Sequence, residues 1–181
     1  MADITDDELL AMYSDGDAEA FDTLFDRYRA PVYNFAHLML GRADGAEDML
    51  QETFMAVART AERYQPHGHF RSWLMRIVRN RCLNELEARR VRRRMAARSG
   101  LDLAEPPADG PSPPERLERS EQMARLRDLI AALPERQREA IVLYAFEQMS
   151  YREIGDVLGV PVNTVKTLIH RARATLALDF G

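Results

Sequence analysis

The chain has 181 residues, of which 46% are hydrophobic and 30% charged, and it carries a formal charge of -4. This composition is too apolar for a disordered chain, and the length allows one or two small domains. The single cysteine, Cys82, excludes an internal disulfide framework and a four-cysteine zinc site, which indicates a reducing compartment.

No segment predicts insertion into a membrane. The longest strongly apolar stretch, residues 140–146, is much shorter than the roughly 20 residues that a membrane-spanning helix needs. The N-terminus is acidic, whereas targeting peptides are basic. We therefore expect a cytoplasmic protein.

Charge is distributed unevenly along the chain. Residues 1–60 hold 4 basic and 13 acidic residues, a net charge of -9, whereas residues 61–104 hold 11 and 4, a net charge of +7. Residues 105–149 carry -3 and residues 150–181 carry +1. Such asymmetry indicates that one part of the chain can meet nucleic acid although the overall charge is negative.

Hydrophobic periodicity predicts an all-α fold that begins with four helices. Thr5 and Glu8 form a capping box for a short helix that ends near Gly16. The second helix runs to Gly41 and is expected to kink, rather than end, at Pro31 because its apolar stripe resumes in phase. Its stripe comprises Phe21, Leu24, Phe25, Tyr28, Val32, Phe35, Ala36 and Met39.

The third helix is predicted from an Asp44–Glu47 capping signature to the vicinity of Tyr64. A fourth, long helix follows the Pro- and Gly-containing break at residues 65–69 and runs from about Phe70 into the arginine run 89–98. Residues 1–98 are thus expected to form one domain. The Pro-rich residues 99–114 then predict a linker.

Residues 115–181 predict a second helical domain that ends in a helix-turn-helix. Helices are expected over about 115–132 and 134–149, the latter with an apolar stripe of Val142, Ala145, Phe146 and Met149. Ser150 and Glu153 form another capping box, and Gly159 supplies the turn. The last helix, from about Val162, is expected to bury Val165, Leu168, Ile169 and Ala172.

The last helix has a polar face opposite its apolar stripe. Asn163, Lys166, Thr167 and His170 recur at helical spacing, with Arg171 and Arg173 beside them. Such a helix fits the major groove, where these groups can read base edges or hold phosphates. An ordinary solvated face is the alternative, but the preceding capping box and glycine turn favour DNA binding.

A second polar stripe lies on the long fourth helix and is suited to single-stranded nucleic acid. Trp73, Arg76, Asn80 and Asn84 share one face, and Arg71, Arg79 and Arg81 are close enough to meet phosphates. An aromatic ring can stack on an unpaired base while amides bond to its edge. Taken alone, Trp73 is better interpreted as a core residue.

Three further groups leave alternatives open. The arginine run 89–98 either tracks phosphates or is the basic end of a helix. On the third helix, Glu47, Asp48, Gln51 and Glu52 face either a basic protein partner or solvent. His67 and His69 are a weak metal signal and better suit a hinge or a loop that contacts backbone.

Motifs for catalysis are lacking in the sequence, which contains no phosphate-binding loop, H-E-x-x-H or G-x-S-x-G. Cys82, on an apolar helix face, is expected in the core and not as a nucleophile. We therefore expect a protein that is not an enzyme and has no cofactor and no metal.

Motifs in both halves resemble one family. Residues 44–54 (DGAEDMLQETF) and 70–80 (FRSWLMRIVRN) are similar to region 2 of bacterial extracytoplasmic function sigma factors. The segments LPERQREA (133–140), SYREI (150–154), TVKT (164–167) and HRAR (170–173) are similar to region 4. The resemblance covers nearly the whole chain except the linker.

The resemblance implies a sigma factor that binds core RNA polymerase, directs it to promoters and helps to melt them. The polymerase β′ clamp helices would bind Glu47, Asp48, Gln51 and Glu52, and the β flap would bind the C-terminal domain. The single-stranded -10 element would be bound by His67, Gly68, His69, Phe70, Arg71, Trp73, Arg76, Asn80, Arg81 and Asn84. The duplex -35 element would be bound by Tyr151, Arg152, Asn163, Thr164, Lys166, Thr167, His170, Arg171 and Arg173.

The resemblance also implies an anti-sigma factor as a partner, since short members of the family are commonly held inactive by one. Where family members often have arginine, this chain has Leu168, which predicts weaker or altered -35 recognition. Two other functions stay open. One is a conventional helix-turn-helix transcription regulator, and the other is a sigma-like adaptor that sequesters an anti-sigma factor.

Overall fold

The computed structural model describes residues 4–65, 67–99 and 117–179, and its regular elements within these ranges are all helices. The N-terminal domain comprises α1 (Asp6–Ser14), α2 (Ala18–Leu40), α3 (Ala43–Thr60), a 3-10 turn (Ala61–Arg63) and α4 (Phe70–Arg98). The C-terminal domain comprises α5 (Leu117–Ala132), α6 (Glu135–Ala145), α7 (Tyr151–Leu158) and α8 (Val162–Asp179). The all-α prediction is confirmed, while most of the predicted linker, 99–114, lies outside the described residues.

Several predicted helix ends are confirmed in detail. Thr5 and Ser150 each form a complete capping box, with Glu8 and Glu153 respectively. Gly159 ends α7 with a φ of 66°, a left-handed conformation that glycine adopts without steric cost. The second helix continues through Pro31 to Leu40, as its uninterrupted apolar stripe predicted.

Two boundary predictions are wrong. Helix α3 begins one residue before Asp44, because Arg42 has the extended backbone of a capping residue and Asp44 already lies in the first turn, beside the positive end of the helix dipole. Helix α6 ends at Ala145, which is exposed. Its buried residues are Glu139, Ala140, Ile141, Val142 and Leu143, and Met149 reaches the core from the following turn.

The N-terminal core lies between α2, α3 and α4, where Leu24, Val32, Phe35, Leu74 and Val78 are inaccessible to solvent. This packing fixes which face of α4 is left for function. Cys82 lies in the same core, and burial raises the pKa of its thiol to about 12, so it remains an unreactive thiol as expected.

The two domains pack against each other. Helix α4 lies against α7, and α2 lies against α5 and α6. Among the described residues, no helix is both long and apolar enough to cross a membrane. The C-terminal domain thus sits directly beside the face of α4 that the sequence predicts to bind single-stranded DNA.

Candidate nucleic-acid interfaces

The predicted duplex-reading face of α8 is open to solvent. Val165, Ile169 and Ala172 are buried against the C-terminal core, which orients the opposite side of the helix outward. The exposed residues include Asn163, Thr164, Lys166, Thr167, His170, Arg171 and Arg173. The capping box and Gly159 set the angle between α7 and α8, so this face is presented without help from the N-terminal domain.

Local contacts limit what some of these groups can donate. Thr167 Oγ1 donates its hydrogen to the carbonyl of Asn163 at 3.0 Å. The hydroxyl can therefore only accept a hydrogen bond from a base, and the methyl group can make an apolar contact. The guanidinium of Arg173 lies 4.9 Å from the ring centre of Tyr144, which in turn stacks on Tyr151 at 5.3 Å. Tyr151 is therefore half-buried, whereas Arg152 is exposed.

Leu168 is partly buried and packs against the C-terminal core. Its side chain therefore contributes to packing, which explains how the chain accommodates an apolar residue on α8.

Some of the predicted single-strand residues meet at a cavity of about 290 Å³ beside the start of α4. It is lined by Tyr64, Gln65, His67, His69, Ser72, Trp73, Arg76 and Asp156. Four of these were predicted from the sequence. Tyr64, Gln65 and Ser72 were missed because none carries a distinctive motif, and Asp156 was missed because it comes from the C-terminal domain.

An aromatic cluster forms one side of this cavity. Phe70 is only 2% exposed and packs against Tyr28, Tyr64 and Trp73 at ring-centre distances of 5.4, 6.1 and 5.7 Å. The prediction that Phe70 contacts DNA does not fit this burial, because its ring supports the cluster from inside. Trp73 is half-buried and lies 4.7 Å from Tyr64, so it belongs to the core and to the cavity wall at once.

Asn80 and Asn84 are exposed on α4, one and two turns beyond Arg76. They extend the polar surface away from the cavity and do not line it. Asn80 Oδ1 accepts a hydrogen bond of 3.2 Å from Arg79 Nη1. The stripe predicted from the sequence is therefore real, but only its first turns border the cavity.

The arginines beside this stripe are engaged with the C-terminal domain. Arg71 donates to the Glu147 carbonyl, and Arg76 Nη2 donates to the Asp156 carbonyl at 2.7 Å. Arg79 Nε lies 2.8 Å from Glu139 Oε1 in an ion pair whose carboxylate is fully buried. The expectation that Arg79 faces phosphates is thus wrong for this arrangement of the domains.

Two buried carboxylates lie at the contact between the domains. Burial raises the pKa of Glu139, although Arg79 opposes the shift. Burial also raises the pKa of Glu147 to about 7, with a smaller opposing effect of Arg71. Polar groups of both domains therefore hold the C-terminal domain against α4 at a desolvation cost.

The acidic face of α3 is exposed as predicted at Glu47, Asp48 and Gln51, with Met55 beside it at 56% exposure. Glu52 is different, because its carboxylate lies 2.6 Å from Arg81 of α4. A residue predicted to bind polymerase and one predicted to bind DNA therefore pair with each other. This ion pair marks the boundary between the acidic and basic surfaces.

Two family models match the chain, one in each domain. Residues 24–94 match the model "Sigma-70 region 2", and residues 123–176 match the model "Sigma-70, region 4". The chain belongs to the extracytoplasmic function family of RNA polymerase sigma factors, the subunits that direct transcription initiation to promoters.

Two relatives and one solved structure illustrate the similarity. The chain is 40% identical over 87% of its length to the sigma factor SigE of Mycolicibacterium smegmatis, and it spans 60% of that relative. It is 32% identical to SigW of Bacillus subtilis, with 89% of both proteins covered. The structure of CnrH in complex with the cytosolic domain of CnrY has a TM-score of 0.73 and 26% identity, and the match covers 97% and 96% of the two chains.

Proposed function

We propose that this chain captures the single-stranded -10 element at the cavity beside α4 and reads the duplex -35 element with α8. The observation that carries the proposal is that the residues on α4 and the preceding loop form a base-sized cavity, while α8 presents an independent open face. One molecule therefore offers both a single-strand site and a duplex site, as promoter opening requires.

At the -35 element, Lys166 and Arg171 supply the positive charge of the open face, and Asn163 supplies an amide. Their side chains lie on one side of a helix of suitable width for the major groove. Arg152 at the start of α7 extends the charge toward the neighbouring phosphates.

At the -10 element, the half-buried Trp73 offers its ring to an unstacked base, and His67 and His69 line the same cavity. Arg76 then holds a neighbouring phosphate once its bond to the Asp156 carbonyl is released. Unstacking a base costs a few kcal/mol, which stacking on the protein and polymerase contacts must offset together.

The acidic face of α3 is the proposed contact with the β′ clamp helices of polymerase, through Glu47, Asp48 and Gln51. The C-terminal domain would dock on the β flap. Both assignments rest on the family, and the exposure of the three side chains supports the first.

Control by an anti-sigma factor is proposed on the same basis, and CnrH was solved with the cytosolic domain of a second protein. A role as a non-catalytic cytoplasmic subunit likewise follows from the family.

The experiment is reconstituted transcription with bacterial core RNA polymerase and fragmented genomic DNA, followed by sequencing of the transcript 5′ ends. We expect start sites with a shared pair of promoter elements only when the chain is added. A conventional regulator would instead bind duplex DNA tightly without polymerase, and an adaptor would give no specific transcripts. Either result would contradict the proposal.

Two variants test whether the proposed surfaces act in different steps, promoter opening and polymerase binding. Asn80→Ala is expected to impair promoter opening more than binding to core polymerase, because Asn80 lies on the exposed α4 stripe. The double variant Asp48→Ala, Gln51→Ala is expected to impair polymerase binding more than opening at saturating concentration. Permanganate footprinting measures opening, and titration of fluorescent core polymerase measures binding. Equal loss of both steps in both variants would contradict this division.

A further inference from the structure

The first turn of α1 reaches the rim of the base cavity, although α1 is remote from it in sequence. Asp7 Oδ1 accepts a hydrogen bond of 2.8 Å from the Tyr64 hydroxyl, and Asp7 Oδ2 accepts a hydrogen bond from the backbone N–H of Gly68. These partners lie 57 and 61 residues further along the chain. One carboxylate thus joins two parts of the cavity region.

The two partners control different parts of the cavity. The Tyr64 ring lines the cavity and packs 4.7 Å from Trp73. Gly68 lies between the two lining histidines and has a φ of 70°, a left-handed conformation in which a non-glycine residue is strained. Asp7 therefore fixes the orientation of an aromatic wall and the backbone course of the rim.

Asp7 is itself held in place. The neighbouring Asp6 pairs with Arg27 at 2.8 Å and accepts a hydrogen bond from the Tyr28 hydroxyl, and the capping box of Thr5 closes the first turn. Burial and the bond to Asp7 raise the pKa of Tyr64, so its hydroxyl stays protonated and donates. A charged acceptor makes such hydrogen bonds stronger than neutral ones.

We infer that Asp7 is a positioning residue for -10 recognition: by bonding Tyr64 and Gly68, it preorganises the cavity that receives the unstacked base. This inference rests on the proposed function of the cavity. Helix α1 becomes part of the single-strand site, although it supplies no group that touches the base. A purely structural role, in which Asp7 only attaches α1 to the domain, predicts a general loss of stability instead.

The test uses holoenzyme assembled from core polymerase and the full chain. The DNA is a forked promoter whose single-stranded -10 element carries 2-aminopurine at the unstacked position, so fluorescence reports capture. The variants are Asp7→Ala, Asp7→Asn, Tyr64→Phe and Gly68→Ala. The control is Asp22→Ala, which removes an exposed acidic residue from α2 and changes the net charge by the same amount as Asp7→Ala.

Asp7→Ala removes both hydrogen bonds and is expected to weaken capture about tenfold. Such a loss corresponds to a cavity that adopts its base-binding conformation only about a tenth of the time, because the apparent affinity falls in proportion to that fraction. Asp7→Asn should retain most of the affinity, because its amide oxygen can accept from Gly68 while its NH2 donates to the Tyr64 oxygen. Tyr64→Phe should have an intermediate effect. Gly68→Ala should weaken capture too, although a Cβ there meets no atom within 4 Å, because only the backbone conformation is disturbed.

Binding to core polymerase and to duplex -35 DNA should stay within about twofold of the wild type in every variant, because these surfaces do not use Asp7. If Asp7→Ala lowers all three affinities equally, its role is only structural and the inference is wrong. If Asp7→Ala does not fold, Gly68→Ala decides, and unchanged capture in that variant overturns the inference. If the wild type and Asp7→Ala capture the DNA equally well, the inference is also wrong. If the wild type does not capture the DNA at all, the proposed function is wrong instead.

Discussion

The two proposed nucleic-acid surfaces differ in how they are built. The α8 face belongs to one helix, is exposed along its length and depends on packing only through the residues on its opposite side. The α4 cavity is assembled from the end of the 3-10 turn, a loop, the start of α4 and Asp156 of the other domain. A rigid surface suffices for the proposed reading of a duplex, whereas an unpaired base needs an enclosure. Asp156 of the C-terminal domain forms part of the wall of the cavity proposed for that base.

The largest expected effect comes from the aromatic wall of the cavity. Trp73→Ala should reduce promoter opening about a hundredfold, since stacking contributes roughly 1–3 kcal/mol per base. Trp73→Phe should retain much of the activity because it keeps a ring in the cluster with Tyr64 and Phe70. Rates of open-complex formation measure the effect, and thermal unfolding of both variants checks the fold. Full activity of Trp73→Ala would show that the cavity does not receive a base.

A smaller effect is expected on α8. The double variant Lys166→Ala, Thr167→Ala should weaken binding of holoenzyme to promoters with a -35 element about tenfold, because a good base contact is worth about 1–3 kcal/mol. Thr175→Ala is the matched control, since Thr175 makes the same type of hydrogen bond on the same helix as Thr167. Binding to forked DNA that lacks the -35 element should be unchanged. A loss on that DNA as well would break the separation of the two surfaces.

The smallest expected effect concerns the contact between the two domains. Glu147→Gln removes a buried carboxyl whose folded pKa of about 7 lies above the ordinary value of 4.5. The charged form is disfavoured by burial, so the carboxyl costs stability as pH rises from about 5 to 7. The variant should gain on the order of 1 kcal/mol in free energy of unfolding at pH 8 and nothing at pH 4.

Urea unfolding at both pH values measures this difference, with Glu47→Gln as a control that alters an exposed carboxylate. A gain that is equal at pH 4 and pH 8 would show that the effect does not arise from ionisation of Glu147.

The sequence predicted the α8 face well because its periodicity, its capping box and Gly159 are all local signals. Local signals also located α4, but they gave no sign of the buried pair between Arg79 and Glu139, since each residue alone looks like a solvated charge. Asp156 and Asp7 were missed for the same reason, because their roles arise from contacts between distant segments. The errors at Asp44 and Ala145 arose where a charge pattern or an apolar stripe continued past the backbone boundary of the helix.

The bonds that Arg71, Arg76 and Arg79 make to the C-terminal domain have a consequence for salt dependence. Separation of the domains would release all three guanidinium groups from these bonds. Each phosphate that they neutralise would release condensed counterions and steepen the fall of log affinity with log salt by about 0.9 for duplex DNA or about 0.7 for a single strand. The closed and open forms of the chain would therefore differ in the number of ions exchanged with DNA, and a salt titration would count the arginines released by opening.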